Sequence, residues 1–200
     1  MTADKGNQLF PVFFRLDQLQ LLIVGGGKAG LEKTSFLFKN SDNANVTLVA
    51  IEIRDEIRAI AESNPNLRLV PREYQTDDLE GKDLVIAATE DHEVNLRVRN
   101  EAKERRILVN VADTPELCDF YLGAVVKKGD LKLAISTNGK SPTFAKRLRE
   151  LFEDALPDNI NEVIDNLRTI RQKLKGDMEY KMNKMNEITS ALKDKDKNEL

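Results

Sequence analysis

The sequence predicts an α/β fold in which a parallel sheet comes first and a helical C-terminal region comes last. Apolar strands alternate with helical stretches between residues 11 and 115, which is typical of a parallel sheet covered by helices. The pattern Gly25-x-Gly27-x-x-Gly30 joins the first central strand directly to a helix, as in Rossmann-like domains. Beyond Pro142 the apolar spacing becomes helical.

Six apolar segments in the first part have the length and composition of strands, and three helical segments lie between them. We predict the strands at Pro11–Phe14, Leu19–Val24, Val46–Ala50, Leu67–Val70, Leu84–Ala88 and Ile107–Val111. We predict the helices at Lys28–Lys39, Arg54–Ser63 and His92–Glu104. Each strand lies about one crossover from the next, so helices should cover both faces of the sheet.

The second part contains a predicted hairpin, Tyr121–Val126 and Leu131–Ser136, around a polar turn with Gly129. Because an isolated hairpin is marginal in water, we expect it to extend a sheet or to meet its twin in a homodimer. Helices are predicted at Thr143–Leu156 and from Asn159 to about Leu192. The apolar stripe of the last helix indicates core packing or, through its methionines, an adaptable contact surface. The predicted domains are residues 1–115 (dinucleotide binding), 116–156 (dimerisation) and 157–200 (helical).

The glycine pattern predicts a binding site for the pyrophosphate of NAD. Gly25 permits a tight turn, Gly27 lets the backbone approach the phosphates, and Gly30 lets the helix pack closely on the strand. Free N–H groups and the helix dipole then attract the anion. A plain glycine-rich turn is the alternative, and the order strand, glycines, helix favours the binding site.

Two further loops are candidates for cofactor contacts. Glu52 lies 22 residues beyond Gly30, where an acidic side chain would bind the ribose 2′-hydroxyl of NAD. Arg54 could instead accept the 2′-phosphate of NADP, and Glu52 could simply favour the start of a helix. Thr89 follows a strand at the carboxyl edge and could touch the cofactor, although capping of the next helix explains Thr89 and Asp91 equally well.

Asp113 is the candidate catalytic residue, because it leaves a parallel strand on the same edge as the glycine loop and could exchange a proton there. The alternative is that Asp113 only starts a turn. The single histidine, His92, is expected to be an exposed helix residue, and Cys118 a small buried one. Metal sites built from several histidines or thiolates are therefore excluded, and no metal site is predicted.

A polar segment before the next helix is a candidate receptor for a polycarboxylate. Gly139-Lys140-Ser141 fails as a phosphate loop, because Ala134 stands where the first glycine would be. Ser141 as N-cap and Pro142 at the first helical position is the simpler interpretation, and it is compatible with anion binding. The candidate substrate-binding residues are Ser136, Thr137, Asn138, Lys140, Ser141, Lys146 and Arg147.

Composition excludes several classes of protein. The net charge of −3 argues against a nucleic-acid binder. No run of residues approaches a membrane span, and the polar start lacks the apolar core of a signal peptide. A single cysteine suits a reducing compartment, so we expect a soluble cytoplasmic protein.

Together these features resemble the precorrin-2 dehydrogenase module of siroheme biosynthesis, which occurs alone or fused to a methyltransferase. The resemblance covers roughly residues 8 to 155, in the stretches Leu9–Phe13, Ile23–Gly27, Ala87–Thr89, Val109–Asp113 and Leu133–Pro142. Two departures are Gly30, where the family often has alanine, and Gly123, where many members have proline.

The resemblance implies a swapped dimer and NAD-dependent oxidation of the tetrapyrrole precorrin-2 to sirohydrochlorin. In some members the same site inserts ferrous iron. It also implies cofactor contacts at Lys28, Ala29, Ile51 and Glu52, and a catalytic role for Asp113. A second hypothesis is an NAD-sensing regulatory module that acts on a partner through its C-terminal helices; it would need the glycine loop but not Asp113.

Overall fold

The computed structural model describes residues 6–190, which divide into two compact units. The first unit contains residues 6–123 and 136–142, and the second contains residues 124–135 and 143–190. The three-part division at residues 115 and 156 stays a prediction.

The first unit is a five-stranded parallel sheet of order β3-β2-β1-β4-β5. Its strands are β1 (Gln20–Val24), β2 (Asn45–Ala50), β3 (Leu67–Pro71), β4 (Leu84–Ala87) and β5 (Leu108–Val111). Its α-helices are α1 (Lys28–Asn40), α2 (Asp55–Ser63) and α3 (His92–Glu104), with short 3₁₀ turns at Thr76–Leu79 and Pro115–Leu117. The Rossmann-like prediction is confirmed, and these strands agree with it to within one residue at each end.

The strands are apolar throughout because helices cover both faces of the sheet. Leu21 and Ile23 pack with Leu37 of α1 and Ile57 of α2 on one face, whereas Leu22 and its neighbours pack with α3 on the other. Leu22 and Ile23 are fully buried, as expected for the central strand. The strand order therefore brings the loops after β1, β4 and β5 side by side at the carboxyl edge.

The strand predicted at Pro11–Phe14 is wrong. These residues adopt no regular structure, and Phe13 within the segment and Phe10 just before it are 69% and 86% exposed. The apolar composition indicated burial, but strands β3 and β5 form the two edges of the sheet and this segment pairs with neither. Pro11 also lacks the N–H that a ladder needs.

The second unit contains an antiparallel hairpin of β6 (Ala124–Lys128) and β7 (Leu131–Ile135). It also contains three helices, α4 (Pro142–Ala155, without its first residue), α5 (Ile160–Lys173) and α6 (Met178–Ile188). Gly129 has a φ of +57° in the hairpin turn. The side chain of Asn161 accepts a hydrogen bond from the backbone N–H of Asp130 at 2.8 Å and so ties this turn to α5.

Two predictions for this region need correction. The first hairpin strand begins at Ala124 rather than Tyr121, because Phe120 and Leu122 pack on the core of the first unit. The helix predicted from Asn159 to Leu192 is two helices, separated where Gly176 adopts a φ of +129° that side chains rarely allow. Residues 191 and 192 lie outside the described part of the chain.

Candidate functional site

Loops from four parallel strands meet at the carboxyl edge of the sheet. The backbone N–H of Gly25 donates to the carbonyl of Val49 at 2.9 Å, and that of Ala88 donates to the carbonyl of Val24 at 2.8 Å. The N–H of Ala112, next to Asp113, donates to the carbonyl of Ala87 at 2.9 Å. These bonds continue the sheet beyond the strands and bring the glycine loop, the Thr89 loop and the Asp113 loop to one edge, where open α/β folds bind ligands.

Two glycines of the fingerprint are required by the packing of the protein itself. A Cβ on Gly25 would lie 2.2 Å from the carbonyl oxygen of Ala88, and Gly25 also has a φ of +123°. A Cβ on Gly30 would lie 2.1 Å from the carbonyl oxygen of Gly25, so only glycine lets α1 approach the end of β1 this closely. Both observations match the roles that the fingerprint assigns to these positions.

Sequence reasoning missed Gly26. A Cβ there would lie 2.3 Å from the backbone oxygen of Glu52, and the carbonyl of Gly26 accepts a hydrogen bond from the N–H of Arg54 at 3.2 Å. Gly26 therefore holds the loop after β2 against the glycine loop. The run of three consecutive glycines was the available signal, but the fingerprint singles out only the first and third of them.

Gly27 differs from its neighbours because the nearest atom to a Cβ at this position is Oε1 of Glu90, at an ordinary 3.7 Å. The protein therefore leaves open space here that a side chain would fill and a phosphate can use. Gly27 is also the N-cap of α1 and supplies no side-chain cap. The N–H groups of Lys28 and Ala29 lie in the first helical turn, where a helix has no intrahelical acceptors for them. The loop thus fits a dinucleotide pyrophosphate.

The loop after β2 presents Ile51, which is 67% exposed, and the exposed Glu52. Glu52 precedes Arg54, the N-cap of α2, and the acidic residues of the first turn of α2 are Asp55 and Glu56. The interpretation of Glu52 as a helix-start carboxylate is therefore disfavoured.

The competing candidate for the ribose, Arg54, is engaged elsewhere. Its guanidinium donates to both carboxylate oxygens of Glu56, at 2.7 and 3.3 Å. This hydrogen-bonded pairing raises the pKa of Arg54 and lowers the pKa of Glu56. A 2′-phosphate would therefore have to compete with Glu56 for the guanidinium.

The hydroxyl of Thr89 is used within its own loop. It lies 2.8 Å from the carbonyl of Asp91 and 2.8 Å from Oδ1 of the buried Asn95, whose Nδ2 donates to the carbonyl of Thr89 at 3.0 Å. Asp91 caps α3 by accepting from the N–H of Glu93 at 2.8 Å, and the next residue, His92, is exposed. Thr89 thus shapes the loop beside the glycines, and a contact with the cofactor stays a prediction.

Asp113 is exposed directly after β5 and has a φ of +57°, a left-handed conformation that is uncommon for residues other than glycine. The surrounding turn is closed by the N–H of Thr114, which donates to the carbonyl of Val111 at 3.3 Å, and by the hydroxyl of Thr114, which donates to the carbonyl of Ala112 at 3.2 Å. These bonds thus hold the backbone of Asp113 at the carboxyl edge of the sheet.

Five of the predicted substrate-binding residues form a tight loop in the first unit. Asn138 and Gly139 have φ values of +55° and +73°, and the N–H of Lys140 donates to the carbonyl of Thr137 at 3.0 Å, which defines a turn of the I′ kind. Helix α4 begins at Pro142, one residue before the predicted bound of Thr143 but in agreement with the interpretation that places Pro142 at the first helical position. The hydroxyl of Thr137 accepts from the N–H of Ser141 at 3.2 Å.

The remaining two residues lie in the second unit. Lys146 and Arg147 are exposed on α4, and Arg147 pairs with Glu150 at 2.7 Å. Within residues 6–190, no group of three histidine, cysteine or acidic residues is arranged to hold a metal ion. Helices long and apolar enough to cross a membrane are also absent from this described part.

Comparison with known proteins identifies the family of the chain. The family model described as putative NAD(P)-binding matches residues 12–124, and the model described as sirohaem biosynthesis protein central matches residues 128–155. A siroheme synthase of Psychrobacter arcticus is 34% identical over 173 residues, and one of Thioalkalivibrio sulfidiphilus is 38% identical over 148 residues. These alignments cover 86% and 74% of this chain but only 30% of each relative, so the chain spans about a third of the length of these relatives.

A solved structure, SirC, precorrin-2 dehydrogenase, superimposes with a TM-score of 0.71. The match has 26% sequence identity and covers 90% of this chain and 89% of the other. The two family models, the relatives and this structure agree with the resemblance identified from the sequence. The chain therefore belongs to the siroheme synthase and precorrin-2 dehydrogenase family of NAD(P)-binding proteins.

Proposed function

We propose that this chain is an NAD-dependent precorrin-2 dehydrogenase that oxidises precorrin-2 to sirohydrochlorin. The observation that carries the proposal is the placement of Asp113 on the same sheet edge as the open glycine loop. The fold match to a precorrin-2 dehydrogenase over nine-tenths of the chain supports it.

The residues around the glycine loop would hold NAD. The N–H groups of Lys28 and Ala29 would bind the pyrophosphate above Gly27, and Glu52 would accept a hydrogen bond from the ribose, beside Ile51. Bound NAD supplies the acceptor for the hydride that leaves the macrocycle. Asp113 accepts the proton that must leave with it, so that substrate and NAD⁺ become sirohydrochlorin, NADH and a proton.

The substrate carries many carboxylates, and a protein of net charge −3 needs a local receptor for them. The I′ turn presents Ser136 and Thr137 beside the N–H groups of a helix start, and the hydroxyl of Thr137 is already hydrogen-bonded to the backbone of Ser141. We assign to this turn, with Lys140, the binding of one edge of the macrocycle. A role of Lys146 and Arg147 in binding further carboxylates stays a prediction from the sequence.

Three finer proposals accompany this function. The first is insertion of ferrous iron into sirohydrochlorin, with the iron as a substrate and Asp113 accepting a pyrrole proton. The second is a homodimer formed through the region after residue 113, because apolar side chains such as Phe144, Leu151, Met178 and Met182 are exposed. The third is a cytoplasmic location, which the single cysteine suits.

Incubation of the chain with enzymatically made precorrin-2 and NAD tests the main proposal. We expect one NADH per sirohydrochlorin, followed by absorbance, and a further spectral change on addition of ferrous or cobaltous ion if iron insertion occurs. NAD binding without any oxidation would contradict the proposal and favour the NAD-sensing module. Light scattering at micromolar concentration tests the dimer, and a fully active monomer would contradict it.

A further inference from the structure

The outer edge of β5 is covered by side chains rather than by another strand. Strand β5 ends the sheet, so the outward backbone groups of Val109 and Val111 need partners. For Val109, the N–H donates to Oδ2 of Asp119 at 3.0 Å and the carbonyl accepts from the N–H of Asp119 at 2.7 Å. Asp119 thus reproduces both bonds of a neighbouring strand.

The thiol of Cys118 makes the corresponding two bonds to Val111. Its Sγ accepts from the N–H of Val111 at 3.1 Å and lies 3.2 Å from the carbonyl oxygen of Val111, to which the S–H can donate. Burial raises the pKa of this thiol, so it keeps the proton that the second bond needs. A thiol that donates and accepts at once therefore caps the last residue of the strand.

The same sulfur also reaches the far side of the Asp113 turn. It lies 3.4 Å from the carbonyl of Thr114, so residues 111 and 114, which flank Asp113, share one contact atom. Asp113 itself stands at a φ of +57° and needs such restraint, because a residue with a side chain is strained in the left-handed conformation. The amide of Asn110 adds a bond to the carbonyl of Phe120 at 2.8 Å, which fixes the backbone on the other side of Cys118.

We propose that Cys118 is a positioning residue for Asp113, holding both ends of its turn so that the carboxylate faces the cofactor edge. This inference rests on the proposed function, in which Asp113 takes the proton. Cys118 itself touches neither substrate nor cofactor in this role. Its loss should therefore lower the rate of the chemical step without changing NAD affinity.

The test uses the full chain in four variants: Cys118→Ala, Cys118→Ser, Asp113→Asn and the Asp113→Asn, Cys118→Ala double variant. In single-turnover assays with saturating NAD, we expect Cys118→Ala to lower the rate of precorrin-2 oxidation about tenfold, because a small displacement of a catalytic group is costly. Cys118→Ser keeps a donor and an acceptor and should restore the rate to within about threefold. In the Asp113→Asn background, Cys118→Ala should have no further effect.

A matched control separates positioning from general destabilisation. Ile57→Val removes one methylene group from the opposite face of the sheet and should lower the midpoint of thermal unfolding but leave the rate unchanged. If Cys118→Ala slows both the wild-type and the Asp113→Asn backgrounds equally, or if Cys118→Ser fails to rescue the rate, Cys118 is only structural and the proposal is overturned.

A second measurement does not depend on the reaction. Amide hydrogen exchange at Val111 and Thr114 should accelerate about tenfold or more in Cys118→Ala and return towards the wild-type rate in Cys118→Ser. Unchanged exchange in Cys118→Ala overturns the positioning role whatever the activity. If the wild-type chain does not oxidise precorrin-2 but the exchange results are as expected, the proposed function fails while Cys118 still holds the turn.

Discussion

The loops after β1 and β5 arrive at the same edge of the sheet but are built in opposite ways. In the glycine loop, the absence of side chains at Gly25, Gly26 and Gly30 lets backbone pack on backbone. In the Asp113 loop, side chains of Thr114, Cys118 and Asp119 bind the backbone and hold it. The glycine loop leaves space for a ligand. In the Asp113 loop, side chains occupy the space around the backbone and restrain Asp113.

The two loops should respond differently to amino-acid substitution. Within the glycine loop, any added Cβ at three of the four glycines meets backbone atoms closer than 2.5 Å. In the Asp113 loop, several of the contacts are hydrogen bonds that another polar side chain of similar size can make. We therefore expect the glycine loop to fail abruptly on substitution and the Asp113 loop to fail in steps.

The largest expected effect is that of Asp113→Asn. Asparagine tolerates the left-handed conformation and has the same shape, so fold and NAD affinity should persist. Loss of a general base typically costs about 10²- to 10⁴-fold in rate, which single-turnover oxidation of precorrin-2 would measure. If Asp113→Asn reacted at the wild-type rate while Lys140→Ala weakened substrate binding, Asp113 would be only a turn residue.

The same contrast explains what could be predicted from the sequence. The sheet and the glycine loop follow local rules, since apolar runs mark strands and the spacing of Gly25, Gly27 and Gly30 marks the turn. The strand prediction at Pro11–Phe14 was wrong because it assumed that an apolar segment is buried in the sheet. The sequence does not indicate whether another strand can pair with an edge of the sheet. The thiol contacts of Cys118 were also invisible, since they join a side chain to backbone groups several residues away.

The next largest expected effect is on NAD affinity, and it distinguishes Gly27 from Gly30. Gly27→Val should lower NAD affinity by about a hundredfold or more in calorimetric titration, because the side chain would occupy the space of the pyrophosphate. Its cost in stability should be only about 1 kcal/mol, since no backbone lies near. The control, Gly30→Ala, should instead destabilise the fold, because its Cβ would lie 2.1 Å from a carbonyl oxygen. Undiminished NAD affinity in Gly27→Val would place the site elsewhere.

Asp119→Ala tests the side-chain covering of β5. It removes the acceptor for the N–H of Val109 and the partner of Lys103, and an unpaired buried N–H costs about 1 to 3 kcal/mol. Urea unfolding should show this loss, whereas Lys103→Ala should cost less than about 1 kcal/mol because only an ion pair near the surface is lost. Equal losses in the two variants would mean that the ion pair, not the strand edge, is what Asp119 supplies.

The relative affinities for NAD and NADP should depend on Glu52 and Arg54, with smaller effects than those above. We expect Glu52→Ala to weaken NAD binding about tenfold, the effect of losing one hydrogen bond to a charged group. Glu56→Ala should raise NADP affinity instead, because it releases the guanidinium of Arg54. Titration of both nucleotides against both variants decides this, and a loss of NAD affinity in Glu56→Ala but not in Glu52→Ala would reverse the assignment.

The smallest expected effect is a loss of folding stability at alkaline pH, caused by ionisation of the Cys118 thiol. Burial is the main cause that raises the pKa of its thiol above the ordinary 9.0, and the charges of Asp119 and Glu116 add to it, while the N–H of Val111 and the charge of Lys33 oppose it. A raised pKa means that the folded state holds its proton where the unfolded state has lost it. The stability contributed by the thiol is therefore complete below pH 9.0 and declines as the pH rises towards the pKa of the folded state.

Serine does not ionise in this range, so Cys118→Ser keeps the hydrogen bonds and removes the titration. Urea unfolding from pH 7 to pH 10.5 should give a constant difference in the free energy of unfolding between the two proteins up to about pH 8.5. Above that, the wild-type chain should lose stability more steeply than Cys118→Ser, because every other ionisable group is common to the two proteins and only the thiol differs. Parallel curves across the whole range would mean that the thiol ionises as easily in the folded loop as in water, and the donated bond to Val111 would then have no energetic weight.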